Sequence, residues 1–501
     1  MKFIDANHIR QEKIQSDICI IGAGPAGITL AAKLAVSGLN IILVESGGPQ
    51  RDDEVNELNS LSIQSNLTYR DSKSLRNRQI GGTANIWAGR VVPFVFNDSL
   101  DDEWDDLKND ILSYYNDAFK IFGIDTEIQN EHPQNKNELY AYWADETERF
   151  NVRSEMLEKN DHVHIYHYLT CVGEPVFEDE RVRQLSFQNK KGEIVQIESK
   201  CFVFAMGAVE NTRMLLIFRE SLAEKRKQNL QNIGRFVMDH PRVWHGEVER
   251  LTEKSTLSDH QIKRTKFGYY KTGIRNDPNT SRVYCNLMRR GKRLDKLLDF
   301  IPSESFQVSF QKFLMKEKGA LKAMVNEILK WPLLSHTERF RNSLNLFFDK
   351  DLDDSFYVMS YCEQKPREEN QIILTGETDR NGLPVPELQN HIHQEELDEV
   401  KHFYKNLKSF FRDMDCTFNY NSEYLSVPKN YVDASHIMGG TRYSSNKEKS
   451  VLQKDLSVMG IPNLYITGSS VFPTSSVENP THLIVSLSCY LADVLSKKFC
   501  E

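Results

Sequence analysis

A chain of 501 residues that is 40% hydrophobic can bury large cores, and its length points to two or more domains. A formal net charge of -8, with opposite signs interspersed and no Lys/Arg tail, excludes a general nucleic-acid binder, and no stretch reads as disordered. Eight scattered cysteines without a CxxC pair or a histidine at ligand spacing predict free thiols and no metal site.

The opening residues, MKFIDANHIRQEKIQ, lack an apolar core and a cleavage site, and no apolar run is long enough to span a bilayer. The expected setting is the cytoplasm, with export alongside a partner subunit left open. From Asp17 the sequence DICIIGAGPAGITLAAKLAVSGLNIILVES predicts a strand over 18–21, then Gly22, Gly24 and Gly27 at GxGxxG spacing. A helix with Ala31, Ala32 and Ala35 on one face follows, and a second strand ends at Glu45. The motif alone is weak, but strand, helix, second strand and an acidic residue roughly 20 positions on are all present. Gly22 allows the tight turn, Gly24 lets backbone amides approach a pyrophosphate, and Gly27 lets the helix pack closely on the sheet. Glu45 suits a ribose diol and disfavours a 2′-phosphate.

Residues 76–94, RNRQIGGTANIWAGRVVPF, hold a second glycine pair, Gly81 and Gly82, in a turn that could lie against a flat cofactor. Leu107, Ile111, Tyr115 and Phe119 predict an amphipathic helix over 104–123. Residues 162–216 alternate strands and turns, with a hairpin at Lys191-Gly192. The apolar run CFVFAMG is expected to return to the dinucleotide sheet before a helix over ENTRMLLIF. Between 232 and 428 the pattern reads as antiparallel strands, including a pair around Asn381-Gly382, interrupted by a helical stretch over 304–345. The apolar face of that stretch, with Phe306, Phe310 and Leu314, fits core or subunit packing, with a lid or membrane contact as the alternative. His240, in MDHPR, reads as structural, because its X-Pro step has a backbone reason to exist. Residues 464–487 form a strand, a Gly/Ser turn and a helix expected to start at Pro480, for which Asn479 could be a simple cap.

Several separate blocks occur in order: IGGTANIWAG, FAMGAVENTRMLL, NIGRFVMDHP, EQKPREENQIIL with DRNGLP, HIMGGTR, and NLYITGSSVFPTSSVENPTHLI. Over nearly the whole chain this set resembles the glucose-methanol-choline flavoprotein oxidoreductases, most closely the bacterial branch with the pyranose oxidases and related sugar oxidoreductases. The resemblance implies an α/β fold, α+β overall. A doubly wound, Rossmann-like FAD-binding domain (1–95, 160–240 and 433–501) would carry an inserted substrate domain built on an antiparallel sheet plus helices (96–159 and 241–432).

It further implies His436 as general base and Asn479 as the second member of the catalytic pair. The ADP end of FAD would meet Gly22, Gly24, Pro25, Ala26, Gly27, Glu45 and Ser46, with backbone around Val172 at the adenine. Arg78, Gly81, Gly82, Thr83, Asn85, Ile86, Trp87 and Ala88 would follow the cofactor through the second glycine turn, Ala88 being nearest the flavin's reactive nitrogen. Ala205, Gly207, Gly468 and Ser469 would lie beside the ribityl and pyrophosphate, and Pro480 and Thr481 beside the pyrimidine edge.

Where some relatives link FAD through a histidine this chain has Ile86, so noncovalent FAD is expected. NPTHL in place of the family's NPTLT makes His482 an outside candidate for the site. The implied reaction is oxidation of an alcohol, with the hydroxyl proton going to His436 and the carbon-bound hydrogen to the flavin. Asn479 would orient the hydroxyl. The Pro480 helix start would stabilise the reduced cofactor. The expected substrate is a sugar, glycoside or amino-sugar. The alternatives are an apolar alcohol such as a sterol, or a non-redox lyase of the same fold. Oxygen, a quinone or a redox partner remain open as electron acceptor.

Overall fold

The computed structural model describes residues 2–9, 13–87, 89–97, 100–128, 138–144, 150, 162–219, 230–251, 263–265, 268–275, 282–289 and 355–500. The helical stretch expected over 304–345 and the expected contact at Ala88 lie outside them.

Strands that are apolar at every position need cover on both faces, and residues 18–21, 41–44 and 201–204 are buried throughout. They form the middle of a nine-stranded sheet. Its order is Lys2–Asp5, Val163–His167, Ile41–Glu45, Lys13–Ile21, Ile194–Phe204, Ile461–Ile466 and Ser457–Val458. Neighbours along this path are parallel except the last pair. The strand Arg181–Asn189 attaches antiparallel to Ile194–Phe204, and Leu169–Glu178 attaches antiparallel to Arg181–Asn189. That strand merges the expected hairpin arm with the buried run CFVFAMG, so its burial alternates at first and then becomes continuous. The edge strand Lys2–Asp5 carries no periodic signal of its own, and pairing with Val163–His167 decides its form. The helices Pro25–Leu34 and Thr481–Cys500 pack on each other beside this sheet. The Ile484 amide bonds the Pro480 carbonyl at 3.0 Å, so the last helix begins within a residue of its expected start.

The second sheet is antiparallel and eight-stranded, in the order Cys416–Asn419, Arg242–Arg250, Ser355–Cys362, Val283–Arg289, Gly268–Arg275, Glu138–Trp143 and Arg90–Val91, with Lys263–Thr265 beside Gly268–Arg275. One face packs on the helix Gln394–Asp413, whose buried Leu397, Val400, Phe403, Tyr404, Leu407 and Phe411 follow helical spacing. That helix replaces part of the strand-rich pattern expected over 232–428, because nine Glu, Asp, Lys and Arg positions, all but Glu396 off the buried stripe, mask its narrow apolar stripe in the one-dimensional pattern. The opposite face of the sheet turns Arg242, Trp244, Met359 and Tyr361 toward a cavity, while Val243, Val358 and Cys362 enter the core. A three-stranded sheet (Gln371–Thr378, Pro384–Asn390 and Ser62–Ser65) joins the two halves of the chain.

The single helix expected over 104–123 is instead Asp102–Trp104 in 3-10 form, then Asp105–Leu112 and Tyr115–Ile121. At the break the Ser113 hydroxyl donates to the Asp110 carbonyl at 2.6 Å, a local bond that competes with helix continuation. Cys19, Cys171, Cys201, Cys285, Cys362, Cys416 and Cys489 are buried, and none is in a disulfide among the described residues. No helix among the described residues is long and apolar enough to cross a membrane.

Candidate active site

The two large sheets meet around a cavity of about 860 Å³, lined by the first glycine turn, by Glu45, and by His436 and Asn479. Gly22 has φ +104°, and a Cβ there would sit 2.6 Å from the Ala205 carbonyl oxygen, so this turn admits only glycine. Gly24, Gly207 and Gly468 also line the cavity. A Cβ on Gly24 or Gly207 would meet nothing within 4 Å, and one on Gly468 only the Ala26 Cβ at 4.0 Å. Together they leave a cradle of bare backbone at the N-terminus of the helix Pro25–Leu34, the arrangement that accepts a pyrophosphate.

Glu45 completes that cradle. Its Oε2 accepts the Ala23 amide at 2.9 Å and its Oε1 the Gly47 amide at 2.8 Å, leaving acceptor capacity toward the cavity. Burial pushes this carboxyl up, and the two amides and Arg78 hold it down. The set fits an adenine dinucleotide.

His436 is half-buried, and the part left accessible faces the cavity. Asp239 Oδ1 accepts the backbone amides of both His240 (2.7 Å) and His436 (3.0 Å), which clamps the two segments side by side. His240 Nδ1 lies 3.0 Å from His436 Nδ1, and His240 Nε2 lies 3.1 Å from the Ser475 carbonyl oxygen. A carbonyl only accepts, so His240 carries its proton on Nε2 and presents a lone pair at Nδ1. His436 therefore donates from Nδ1, and its Nε2 is left as the bare acceptor. The Asn479 amide nitrogen sits 3.3 Å from that Nε2. Among the described residues no amide of the last helix bonds the Asn479 side chain, so capping is not its role here.

Burial, then the charge fields of His240, Arg242, Arg70 and Arg90, hold the His436 imidazole well below its ordinary value. Burial pushes His240 down to about 4. Both rings are neutral at pH 7. Ser435, just before His436, has φ +59°; its hydroxyl accepts from Arg70 at 2.6 Å and donates to Asp433 at 2.9 Å, which holds this uncommon backbone in place.

Of the residues singled out from sequence, the cavity wall also includes Pro25, Ala26, Ser46, Arg78, Gly82, Thr83, Ile86, Trp87, Ala205, Ser469, Pro480 and Thr481. Four lie behind the wall. Gly27 packs on the Gly22 carbonyl, and the Gly81 amide bonds the Ala23 carbonyl at 2.7 Å. Asn85 bonds the carbonyls of Ile80 and Gly82, shaping the second turn from within. Val172 is buried, and its neighbours Leu169, Thr170 and Cys171 line the cavity in its place. His240, expected to be structural, is a direct hydrogen-bond partner of His436. Its only sequence signal is its place in the MDHP block, which shows neither the contact with His436 nor the one with Ser475. Arg70, Arg90, Arg242 and Tyr361 were also missed, because isolated arginines and tyrosines have no motif.

His482 does not line the cavity. Its ring is fully buried among Tyr115, Phe119 and Phe122, with centroids 4.7, 4.6 and 6.4 Å away. Neither ring nitrogen has a hydrogen-bond partner among the described residues. Burial pushes this imidazole down to about 3, and the nearby Tyr115 backbone offsets that only in part. The unfolded chain takes up the proton near pH 6.5 while the folded one does not, so stability is withdrawn as pH falls below 6.5. His482→Leu, which keeps the volume and removes the titration, is expected to gain about 2 kcal/mol on the wild type between pH 8 and pH 5. Denaturant unfolding at the two pH values measures this; parallel curves would show the imidazole is solvated.

Residues 366–488 match the family model described as GMC oxidoreductase, for the C-terminal domain. Among curated proteins, the chain is similar to a 2-methyl-1,2-propanediol dehydrogenase of Mycolicibacterium austroafricanum, 24% identical over 156 residues, 31% of this chain and 28% of that protein. It also matches the flavin-containing monooxygenase FMO GS-OX-like 3 of Arabidopsis thaliana, 29% identical over 120 residues, 23% of this chain and 27% of that protein. The chain thus spans little more than a quarter of the length of these relatives. Among solved structures, a formate oxidase variant of Aspergillus oryzae RIB40 superposes with TM-score 0.57 at 13% identity, covering 97% of this chain and 98% of the other. A second formate oxidase structure gives TM-score 0.56 at 14% identity, covering 98% and 99%. These two likenesses establish the fold.

Proposed function

We propose that this chain, which carries a GMC oxidoreductase C-terminal domain over residues 366–488, is a FAD-dependent oxidoreductase acting on the CH–OH group of a small molecule. One observation carries the reading. A single cavity is bounded both by the dinucleotide cradle of Gly22, Gly24 and Glu45 and by a histidine whose bare nitrogen faces inward. The similarity to a diol dehydrogenase supports the same class of donor.

Gly24, Glu45, Gly207 and Gly468 would hold FAD, which when bound supplies the two-electron oxidant for the carbinol carbon. His436 Nε2 takes the hydroxyl proton as the carbonyl forms. Asn479 holds the hydroxyl beside that nitrogen, so the proton leaves along a fixed line. His240 keeps the His436 proton on Nδ1 throughout, because its own proton is committed to Ser475. Noncovalent attachment is supported by Ile86, a side chain without a nucleophilic atom, in the cavity wall at the position expected for a linking histidine. A polyhydroxy substrate of the sugar or glycoside type suits a wall in which Trp244 and Tyr361 alternate with arginines. A sterol or other apolar alcohol would leave Arg242, which forms no ion pair among the described residues, without a counter-charge. Free buried thiols suit a reducing compartment such as the cytoplasm.

An anaerobic screen tests the reading. The purified protein is expected to be yellow, to release its flavin on denaturation, and to be bleached by at least one polyol. A protein that binds FAD and is bleached by no alcohol, sugar or sugar acid would refute oxidation of CH–OH donors.

A further inference from the structure

The cavity-lining arginines fall into two groups with different bookkeeping of charge. Arg76, Arg78 and Arg213 share the wall with Glu210 and Asp379. Glu210 lies 3.0 Å from Arg78 and 3.4 Å from Arg213, and Asp379 lies 2.7 Å from Arg213. Around His436 the wall carries Arg70, Arg90 and Arg242, and no carboxylate of the described residues lines the cavity there. Arg70 is paired with Asp433 at 3.2 Å. Arg90 is buried, donates to the Tyr284 hydroxyl at 2.8 Å and lies 5.4 Å from the centre of that ring.

Arg242 forms no ion pair and no side-chain hydrogen bond among the described residues, and its Nε is buried without a partner. Its backbone exchanges bonds with Val432 at 3.0 and 2.9 Å, which sets it beside the segment that carries the base four residues later. Arg242 and Trp244 face the cavity while Val243 enters the core, so strand alternation aims the guanidinium at the substrate space.

We propose that the substrate alcohol carries an oxoanion, a carboxylate or a phosphate ester, that Arg242 receives with Arg90 beside it. This deepens the CH–OH oxidation proposed above and rests on it. A guanidinium offers a planar fork that matches an oxoanion, and one that is partly buried without a counter-charge is stabilised when a ligand brings one. The same charges repel a protonated amine, which removes amino-sugars from the expected substrates. The anion also offsets the cationic field on His436, so the base gains proton affinity as the substrate binds.

Matched probes on the holoenzyme test this: glucuronate and glucose 6-phosphate against glucose, and glycerate against glycerol, by anaerobic flavin bleaching. At least one charged member is expected to half-saturate at a concentration 10-fold or more below its neutral partner. Which charged probe wins separates carboxylate from phosphate ester. Arg242→Gln is expected to erase the preference, and Arg242→Lys to keep part of it. A second arm is independent of turnover: malonate and inorganic phosphate are titrated while flavin absorbance is followed. Saturable perturbation by either, weakened 10-fold or more in Arg242→Gln, supports the anion site even if no probe is oxidised, in which case the redox reading alone fails. Neutral probes working as well as charged ones, or neither anion perturbing the wild type, would overturn the inference. If Arg242→Gln does not hold FAD, the wild-type comparisons and Arg242→Lys decide.

Discussion

His436→Ala is expected to purify yellow, with FAD bound at the wild-type ratio, and to be bleached by substrate 10²- to 10⁴-fold more slowly. The cradle for the dinucleotide is built by Gly22, Gly24 and Glu45, none of which bonds His436, so the variant separates proton removal from cofactor retention. In the wild type the acid limb of the bleaching rate should lie below the usual imidazole range, because burial and three arginines favour the neutral ring. His240→Phe is the companion variant. It keeps a ring in place and removes the acceptor for the His436 Nδ1 proton, so the proton can move to Nε2 and block the base. A loss of roughly 10- to 10²-fold is expected, within the range for acid–base groups. The acid limb should also move, because His240 is one of the groups that set the His436 proton affinity. A merely structural His240 would lower stability without moving that limb. Wild-type bleaching by His436→Ala would assign the base to another group.

How far this site could be read in one dimension follows from the range of each interaction. The glycine turn, its strands and Glu45 lie within about thirty residues, and each position has a local steric reason, so they were legible. Asn479-Pro480 announced a helix start by the same local logic, but the direction of the Asn479 amide was not legible, since its partner is 43 residues upstream. His240 and His436 are 196 residues apart, and their tautomers depend on a carbonyl at Ser475. No window of sequence holds those three together. Arg242 is set by strand alternation in a sheet whose neighbours come from distant segments. The helix Gln394–Asp413 was obscured by its charged outer face, and the strand Lys2–Asp5 exists only through its partner. His482, only an outside candidate from the NPTHL departure, is turned by helical geometry away from the cavity into an aromatic box.

Gly24→Ala and Gly27→Ala should fail in different ways, although they lie three residues apart in one motif. Gly27 is inside the helix Pro25–Leu34, and its added Cβ would stand 1.9 Å from the Gly22 carbonyl oxygen and 3.4 Å from the Ala205 Cβ. Both neighbours belong to the sheet or its tight turn, so the helix must lift away, an overpacking cost of about 1–3 kcal/mol or more. Gly27→Ala is therefore expected to unfold at lower denaturant with or without added FAD. Gly24 has φ -84°, which alanine adopts freely, and its Cβ would meet no protein atom within 4 Å. The apo form of Gly24→Ala should match the wild-type apo form in stability. Its methyl group, however, projects into the cavity where backbone must approach the pyrophosphate, so FAD retention should fall at least 10-fold, about 1.4 kcal/mol or more. Gly376→Ala, with equal room outside the cavity, is the control for the methyl group itself. Measuring bound flavin and denaturant midpoints for the three variants separates helix–sheet packing from phosphate approach. If Gly24→Ala holds FAD as tightly as the wild type, the open space above residue 24 is not where the pyrophosphate sits.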